Sequence, residues 1–367
     1  MKIDFANLNL SYLEHKTKID DAIASVISSS SFIMGKPVIE LEEKLKDFTG
    51  AKHAITCSNG TDALLLALMA IGIKAGDEVI TTPFTFIATG ETIAFLGATP
   101  VFVDINEHTY NIDVTDIESK ITSKTKAIIP VSLFGQMAQM DTINALAKKY
   151  SLDVIEDGAQ SFGATHLGVK SCANSTIGTT SFFPAKPLGC FGDGGAVFTN
   201  DDELASKIKS LRLHGQSKRY HHKYIGMGGR LDTIQAAVLG VKLRHYENDI
   251  ERRQEVAKKY SNLLEGHFKT PVILEECSSV WAQYSIRVRN RDKIQSSLKD
   301  KGIPTTVHYP IPLHLQECFI YLGHKKGDFP ISELVANEIL SLPMNPYIKD
   351  SEIAYVCNEL ILLGQEL

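Results

Sequence analysis

Across roughly its first 245 residues this chain alternates short β-rich runs with helical periodicity, and that alternation limits the folds open to it more than any other feature. The runs at 53–57, 77–82, 100–104, 126–132, 152–156 and 195–199 are rich in apolar and β-branched residues, and the segments 62–71, 88–96 and 141–149 between them carry helical spacing. Near-continuous apolar strands separated by helices predict a mostly parallel sheet covered on both faces. Beyond that the period resets. One long charged helix is expected over 234–260, then a strand at 281–288, a helix at 292–301, a strand at 305–308, and helices at 331–340 and 351–363. The expected architecture is α/β, with a large domain over 1–245 and a small C-terminal α+β domain over 246–367.

A chain of 367 residues holds one large domain and a smaller one. With 44% hydrophobic and 22% charged residues it is too apolar for disorder. Its longest apolar run, 63–73, is too short to span a bilayer. The net charge of −5 offers no general attraction for nucleic acid, so an anionic ligand needs a local site. Acids at Asp4 and Glu14 and the lack of an apolar stretch near the N-terminus argue against a secretory signal. The six scattered cysteines form no C-x-x-C pair and no metal-ligand spacing, which fits a reduced, cytoplasmic protein without a metal.

Common nucleotide and hydrolase signatures are absent: no G-x-G-x-x-G, no G-x-x-x-x-G-K-[ST], no G-x-S-x-G and no H-E-x-x-H occurs. Three segments carry chemistry instead. SNGTDAL at 58–64 is a small-residue turn opening a helix, which leaves backbone N–H groups and the positive end of the helix dipole free for a phosphate. Gly60 permits close approach there and Thr61 adds a hydroxyl, although the same residues also suit a simple helix cap. Asp157 stands at the carboxyl end of a strand, where it can reach a ligand or merely shape a turn. Lys186 lies in an apolar, glycine-rich stretch with no charged neighbour until Asp193, a setting that lowers an amine's pKa and makes it a usable nucleophile.

Each signal is weak alone, and together they suit pyridoxal phosphate (PLP). That cofactor needs a phosphate cup, a carboxylate at its pyridine nitrogen, a flat group over its ring and a lysine amine. Gly60, Thr61 and Ser181 could hold the phosphate, Asp157 could keep the pyridine nitrogen protonated, Phe86 could stack on the ring, and Lys186 could bond the aldehyde and then shuttle a proton. An apolar Phe such as Phe86 is more often a core residue.

At this point the sequence resembles the DegT/StrS family of sugar aminotransferases, fold-type I enzymes that use PLP. The likeness covers nearly the whole chain: SNGTDAL at 58–64, GDEVI at 76–80, PFTFIAT at 83–89, EDGAQS at 156–161, SFFPAK at 181–186, GDGG at 192–195 and RLDTIQAA at 230–237. It implies Lys186 as the Schiff-base lysine, Asp157 as the pyridine partner, Gln160 as a contact to the cofactor ring, and Gly60, Thr61 and Ser181 at the phosphate. A sister branch of dehydratases has His in place of that lysine. One departure stands out: where the family commonly has an Asn reaching the phosphate of a neighbouring subunit, this chain has Gly228.

The stretch 212–224, RLHGQSKRYHHKY, is either a solvated loop or a site for a nucleotide-sugar diphosphate. That loop, the PAKPLGCFGDGG run and VHYPIPL at 307–313 look most like the branch acting on UDP-2-acetamido-2-deoxy-3-oxo-glucuronate, which makes a 3-amino sugar for surface polysaccharide. The likeness implies Arg230, His308 and Tyr309 at the substrate, L-glutamate as amino donor, and a homodimer with shared active sites. Two rival expectations are a 4-keto-6-deoxy nucleotide sugar as acceptor and a cofactor-binding regulator without turnover.

Overall fold

The computed structural model describes residues 3–366. Three helices, α1 (Leu8–Glu14), α2 (Lys16–Ser29) and α3 (Lys36–Thr49), precede the first strand. The α/β part then runs β1 (His53–Cys57), α4 (Gly60–Ile71), β2 (Glu78–Thr81), α5 (Ile87–Phe95), β3 (Thr99–Phe102), α6 (Val114–Ile117), β4 (Thr125–Ile128), α7 (Met140–Tyr150) and β5 (Asp153–Asp157). A two-residue pair, β6 (Thr165–His166) and β7 (Val169–Lys170), leads to β8 (Ile177–Ser181), β9 (Gly195–Thr199) and α8 (Asp202–Leu211). A hairpin of β10 (Gln216–Lys218) and β11 (His221–His222) follows, then α9 (Thr233–Lys242), α10 (Tyr246–Leu264), β12 (Tyr284–Arg287), α11 (Arg291–Asp300), α12 (Pro330–Glu338), β13 (Ile339–Leu342) and α13 (Asp350–Glu366).

The main sheet has seven strands in the order β1-β9-β8-β5-β4-β2-β3. Its pairs β5–β8, β4–β5, β2–β4 and β2–β3 are parallel, whereas β9 runs antiparallel to both β1 and β8. Alternation along the strands divides the core in two. Ile55, Val79, Ala127, Ile155, Ile177 and Val197 pack with α4 and α8 on one face. On the other, Ala54, Ala196 and Phe198 meet α3 and α9, while Ile80, Ile128 and Val154 meet α7. A separate core gathers β12, β13, α11, α13 and the second half of α10, and Ile3 joins it. The N-terminal end of α12 docks on the large sheet, where Asp104 accepts from the N–H groups of Ile331 and Ser332 at 2.9 Å each.

Several expected elements take another form. The helix expected over 234–260 is two helices separated by a 3-10 turn at Leu243–His245. No Gly or Pro marks the break; α9 packs on α2 and α3, whereas α10 turns to pack on α13. The strand expected at 305–308 reduces to one bridge, Thr306 to Ser341, between Pro304 and Pro310. Residues 339–340, expected to be helical, begin β13, all four of whose residues are buried beside β12. Tertiary pairing overrides local propensity there. The strand β8, with its sequence IGTTS, gave too little apolar signal to be read in advance. No helix among the described residues is long and apolar enough to cross a membrane.

Arg212 turns inward rather than joining the solvated stretch that follows it. Its Nη1 donates to Glu42 Oε1 and to the Thr56 carbonyl, both at 2.6 Å, with the side chains only 4% and 13% exposed. Glu42 also accepts from the Thr56 N–H at 2.9 Å, so the pair ties α3, β1 and the end of α8 together. Removing one partner leaves the other charge buried and unpaired. Arg212→Ala is expected to cost about 3–5 kcal/mol of stability, read as a lower midpoint in denaturant unfolding.

Candidate active site

Because six of the seven strands point the same way, their carboxyl ends line one edge, and β9 brings its amino end to that edge. Cys57 pairs with Gly195, Gly195 with Ser181, and Thr179 with Asp157. The segments leaving these strands enclose a cleft of about 590 Å³ at the position where open α/β sheets bind ligands.

One end of the cleft is the start of α4. Asn59 is its N-cap, and the Asn59 side-chain oxygen accepts from the Asp62 N–H at 2.7 Å. Among the described residues the N–H groups of Gly60 and Thr61 find no acceptor, as the first turn of a helix dictates. A Cβ on Gly60 would lie 2.7 Å from Ser181 Cβ, so glycine is what lets β8 and the helix start close on each other. Two free N–H groups, the hydroxyls of Thr61 and Ser181 and the helix dipole make a cradle matched to a phosphate.

The centre holds a carboxylate and an amine. Asp157 is 6% exposed; its Oδ2 accepts from the Thr89 hydroxyl at 2.8 Å and its Oδ1 from the Ala159 N–H at 3.2 Å. The Thr85 hydroxyl lies 3.1 Å from that of Thr89, extending the chain. Burial pushes the Asp157 carboxyl up from its usual range, opposed by Thr89, Ala159 and the Lys186 charge. Burial conversely lowers the Lys186 amine, and Asp157 opposes that shift. No hydrogen bond or ion pair holds the Lys186 amine among the described residues, so it is free to react.

The remaining wall is His308, tied to β13, and Tyr309, packed beside Phe84 and Phe134. His308 Nδ1 lies 2.9 Å from the Ser341 hydroxyl, and burial, then the Lys186 charge, lowers its imidazole to about 4, so it is neutral at pH 7. Burial and the Asp157 charge raise the Tyr309 phenol, whose oxygen accepts from Gln160 Nε2 at 3.1 Å. Gln160 Oε1 accepts from the Phe134 N–H at 2.9 Å, which fixes the carboxamide from both ends. Phe86, 54% exposed, precedes α5 with its ring 6.1 Å from that of Tyr309.

Thus Gly60, Thr61, Phe86, Asp157, Gln160, Ser181, Lys186, His308 and Tyr309 all line one cleft. Arg230 does not; it follows Gly229, whose carbonyl accepts from the Ser58 N–H behind the helix start. Gly228 bridges Leu213, and a Cβ there would lie 3.0 Å from the His214 ring, which fills that space. The basic stretch forms the exposed β10–β11 hairpin, with Tyr220 at its tip 76% exposed. Sequence reasoning gave no role to Thr89, Thr85 or Gln283. Thr89 ends the PFTFIAT motif, but nothing in the sequence places its hydroxyl on Asp157, 68 residues away.

The donor set fits PLP: an anion cradle that a Cβ at residue 60 would fill, an anchored buried carboxylate and an unpaired, desolvated amine. Thr89→Val removes the hydroxyl donor from Asp157 at nearly constant volume, a loss of about 1–3 kcal/mol for the ionised carboxylate. The carboxyl pKa should rise further and PLP affinity at pH 7 should fall roughly tenfold or more, measured by fluorescence titration of the cofactor-free protein.

The description of the DegT/DnrJ/EryC1/StrS aminotransferase family matches residues 14–361. The chain is 51% identical to a Pseudomonas aeruginosa protein named UDP-2-acetamido-2-deoxy-3-oxo-D-glucuronate aminotransferase, over 97% of this chain and 98% of that one. It is 46% identical to a Geobacillus stearothermophilus protein named pleiotropic regulatory protein, over 98% of each. A solved Bacillus subtilis structure, NtdA with bound cofactor PMP, superposes with a TM-score of 0.92 at 30% identity, covering 99% of this chain and 85% of that one.

Proposed function

The chain belongs to the DegT/DnrJ/EryC1/StrS aminotransferase family, and from that premise we propose that it moves an amino group from L-glutamate to a keto nucleotide sugar, UDP-2-acetamido-2-deoxy-3-oxo-D-glucuronate. The product is the 3-amino sugar, destined for surface polysaccharide. The observation that carries this reading is the meeting of Lys186 and Asp157 in one cleft beside the anion cradle. The 51% identity to the Pseudomonas aeruginosa aminotransferase supports the choice of sugar.

When bound, PLP supplies an electrophilic aldehyde carbon and a ring able to accept electrons. The protein does the rest. The N–H groups of Gly60 and Thr61 with the Ser181 hydroxyl grip the phosphate. The Asp157 carboxylate, held by Thr89 and Ala159, keeps a proton on the pyridine nitrogen. Phe86 would stack on the ring, and Gln160 orients Tyr309, which would meet the substrate. Lys186 Nζ is the nucleophile in the resting enzyme and then carries the proton to and from the reacting carbon. Burial favours the neutral form of that amine, and the Asp157 charge opposes the shift. His308, neutral at working pH, can accept from or donate to the sugar without adding charge.

A homodimer with shared sites belongs to the same proposal. Phe32, Ile33, Phe183 and Ile225 are 45–91% exposed, apolar area that a second copy would cover. Arg230 and the basic hairpin stand outside the cleft of their own chain, so a role for them at the substrate requires the neighbouring copy. Six free cysteines suit a reduced cytoplasm. The name of the Geobacillus relative is the one observation favouring a regulator, and the intact lysine–carboxylate pair speaks against it.

The deciding experiment incubates the PLP-loaded protein with L-glutamate and a panel of 3-keto and 4-keto nucleotide sugars, followed by mass. Amine on the 3-keto uronate is the expected product, and Lys186→Ala should lower its rate at least about 10³-fold. Amine on a 4-keto sugar alone overturns the choice of substrate, and no reaction of the bound cofactor with any amino donor favours the regulator.

A further inference from the structure

Helix α9 carries a buried lysine with no role in the chemistry above. Lys242 is 9% exposed, and its Nζ donates to the Gly189 carbonyl at 2.5 Å. Among the described residues no carboxylate pairs with it. Burial pulls its amine down to about 8. Its other neighbours are the Phe191 ring, 5.8 Å from Nζ, and the charge of Asp249, which makes no ion pair with it. Taking an amine out of water in such a setting is costly, and a leucine or methionine would fill the space without that cost. The hydrogen bond to Gly189 is what the lysine adds.

Gly189 lies three residues after Lys186, in a loop folded tightly back on itself. The Lys186 N–H bonds to the Phe183 carbonyl and the Cys190 N–H to the Phe182 carbonyl, both at 2.8 Å. A Cβ on Gly189 would lie 2.4 Å from the Pro184 oxygen and 2.7 Å from that of Phe183, so the two limbs are already in contact. Two turns earlier on the same face of α9, Gln235 Oε1 accepts from the Phe191 N–H at 2.8 Å. One rigid helix therefore grips the returning limb at 189 and at 191.

We propose that Lys242 and Gln235 form a clamp that positions Lys186, holding its loop so that the amine is presented to the cofactor aldehyde. Lys242 is a positioning residue and touches no reactant. The inference rests on the proposed role of Lys186 and adds what keeps that amine in place.

The test uses Lys242→Met, which keeps volume and loses the donor; Lys242→Gln, which restores a donor; and the milder Gln235→Leu. Hydrogen exchange on the cofactor-free proteins reads the loop directly, and residues 183–192 should exchange faster in Lys242→Met and Gln235→Leu. Borohydride trapping at saturating PLP, followed by peptide sequencing, should label Lys186 roughly tenfold more slowly in Lys242→Met, with partial recovery in Lys242→Gln. Unchanged exchange over 183–192, or unchanged labelling in variants that merely melt lower, overturns the clamp. Failure of the unsubstituted protein to label at Lys186 overturns the proposed function instead, and the exchange measurement still decides whether α9 holds the loop.

Discussion

A buried carboxylate at the end of strand β5 and a half-buried lysine amine share one cleft, close enough for each charge to shift the other, and the architecture around them reads as the means of keeping them there. Either charge left alone in such a place would cost several kcal/mol. Asp157 is tolerable because Thr89, Ala159 and the opposing Lys186 all favour its ionised form. One residue earlier, the alternation of the strand turns Glu156 the opposite way, where it accepts from the Ser132 and Ser171 hydroxyls and the Cys172 N–H. Adjacent carboxylates on one strand thus do different jobs: one ties loops to the back of the sheet, and the other stands in the cleft with capacity to spare.

Sheet topology converts that local pair into a site. A parallel sheet leaves every strand by the same edge, so residues from β1, β2, β4, β5 and β8 converge without long loops. The reversed strand β9 adds a further constraint. A Cβ on Gly195 would lie 2.4 Å from the Asn59 carbonyl, which shows how closely β9 seats the start of α4. The anion cradle is therefore a product of strand order as much as of its own residues. His308 and Tyr309 complete the site from the segment before α12, with His308 tied to Ser341 of β13 and Tyr309 packed beside Phe84 and Phe134.

Much of this was legible in the residues. The strands at 53–57 and 195–199 stand where apolar alternation put them. Nine of the expected site residues share the cleft; seven of them do so because their motifs follow strand ends, a relation that periodicity exposes, whereas His308 and Tyr309 reach it from a segment that forms no strand. Arg230 is the exception, since a sequence cannot say whether a residue serves its own cleft or a neighbour's. Thr89, Gln235 and Lys242 were silent for a similar reason: each acts through a contact across a long sequence separation, and a lone Thr, Gln or Lys on a helix carries no local mark of its partner.

By itself the sequence determined the class of fold, the positions of the strands and the small set of groups available for chemistry, because hydrophobic period and turn residues act over a few neighbours. Only the tertiary structure decided where the 234–260 segment breaks, that residues 339–342 join a sheet instead of a helix, and which polar side chains meet. Those outcomes depend on burial against distant surfaces. A buried lysine can be recognised as a clamp only once the carbonyl it grips is known.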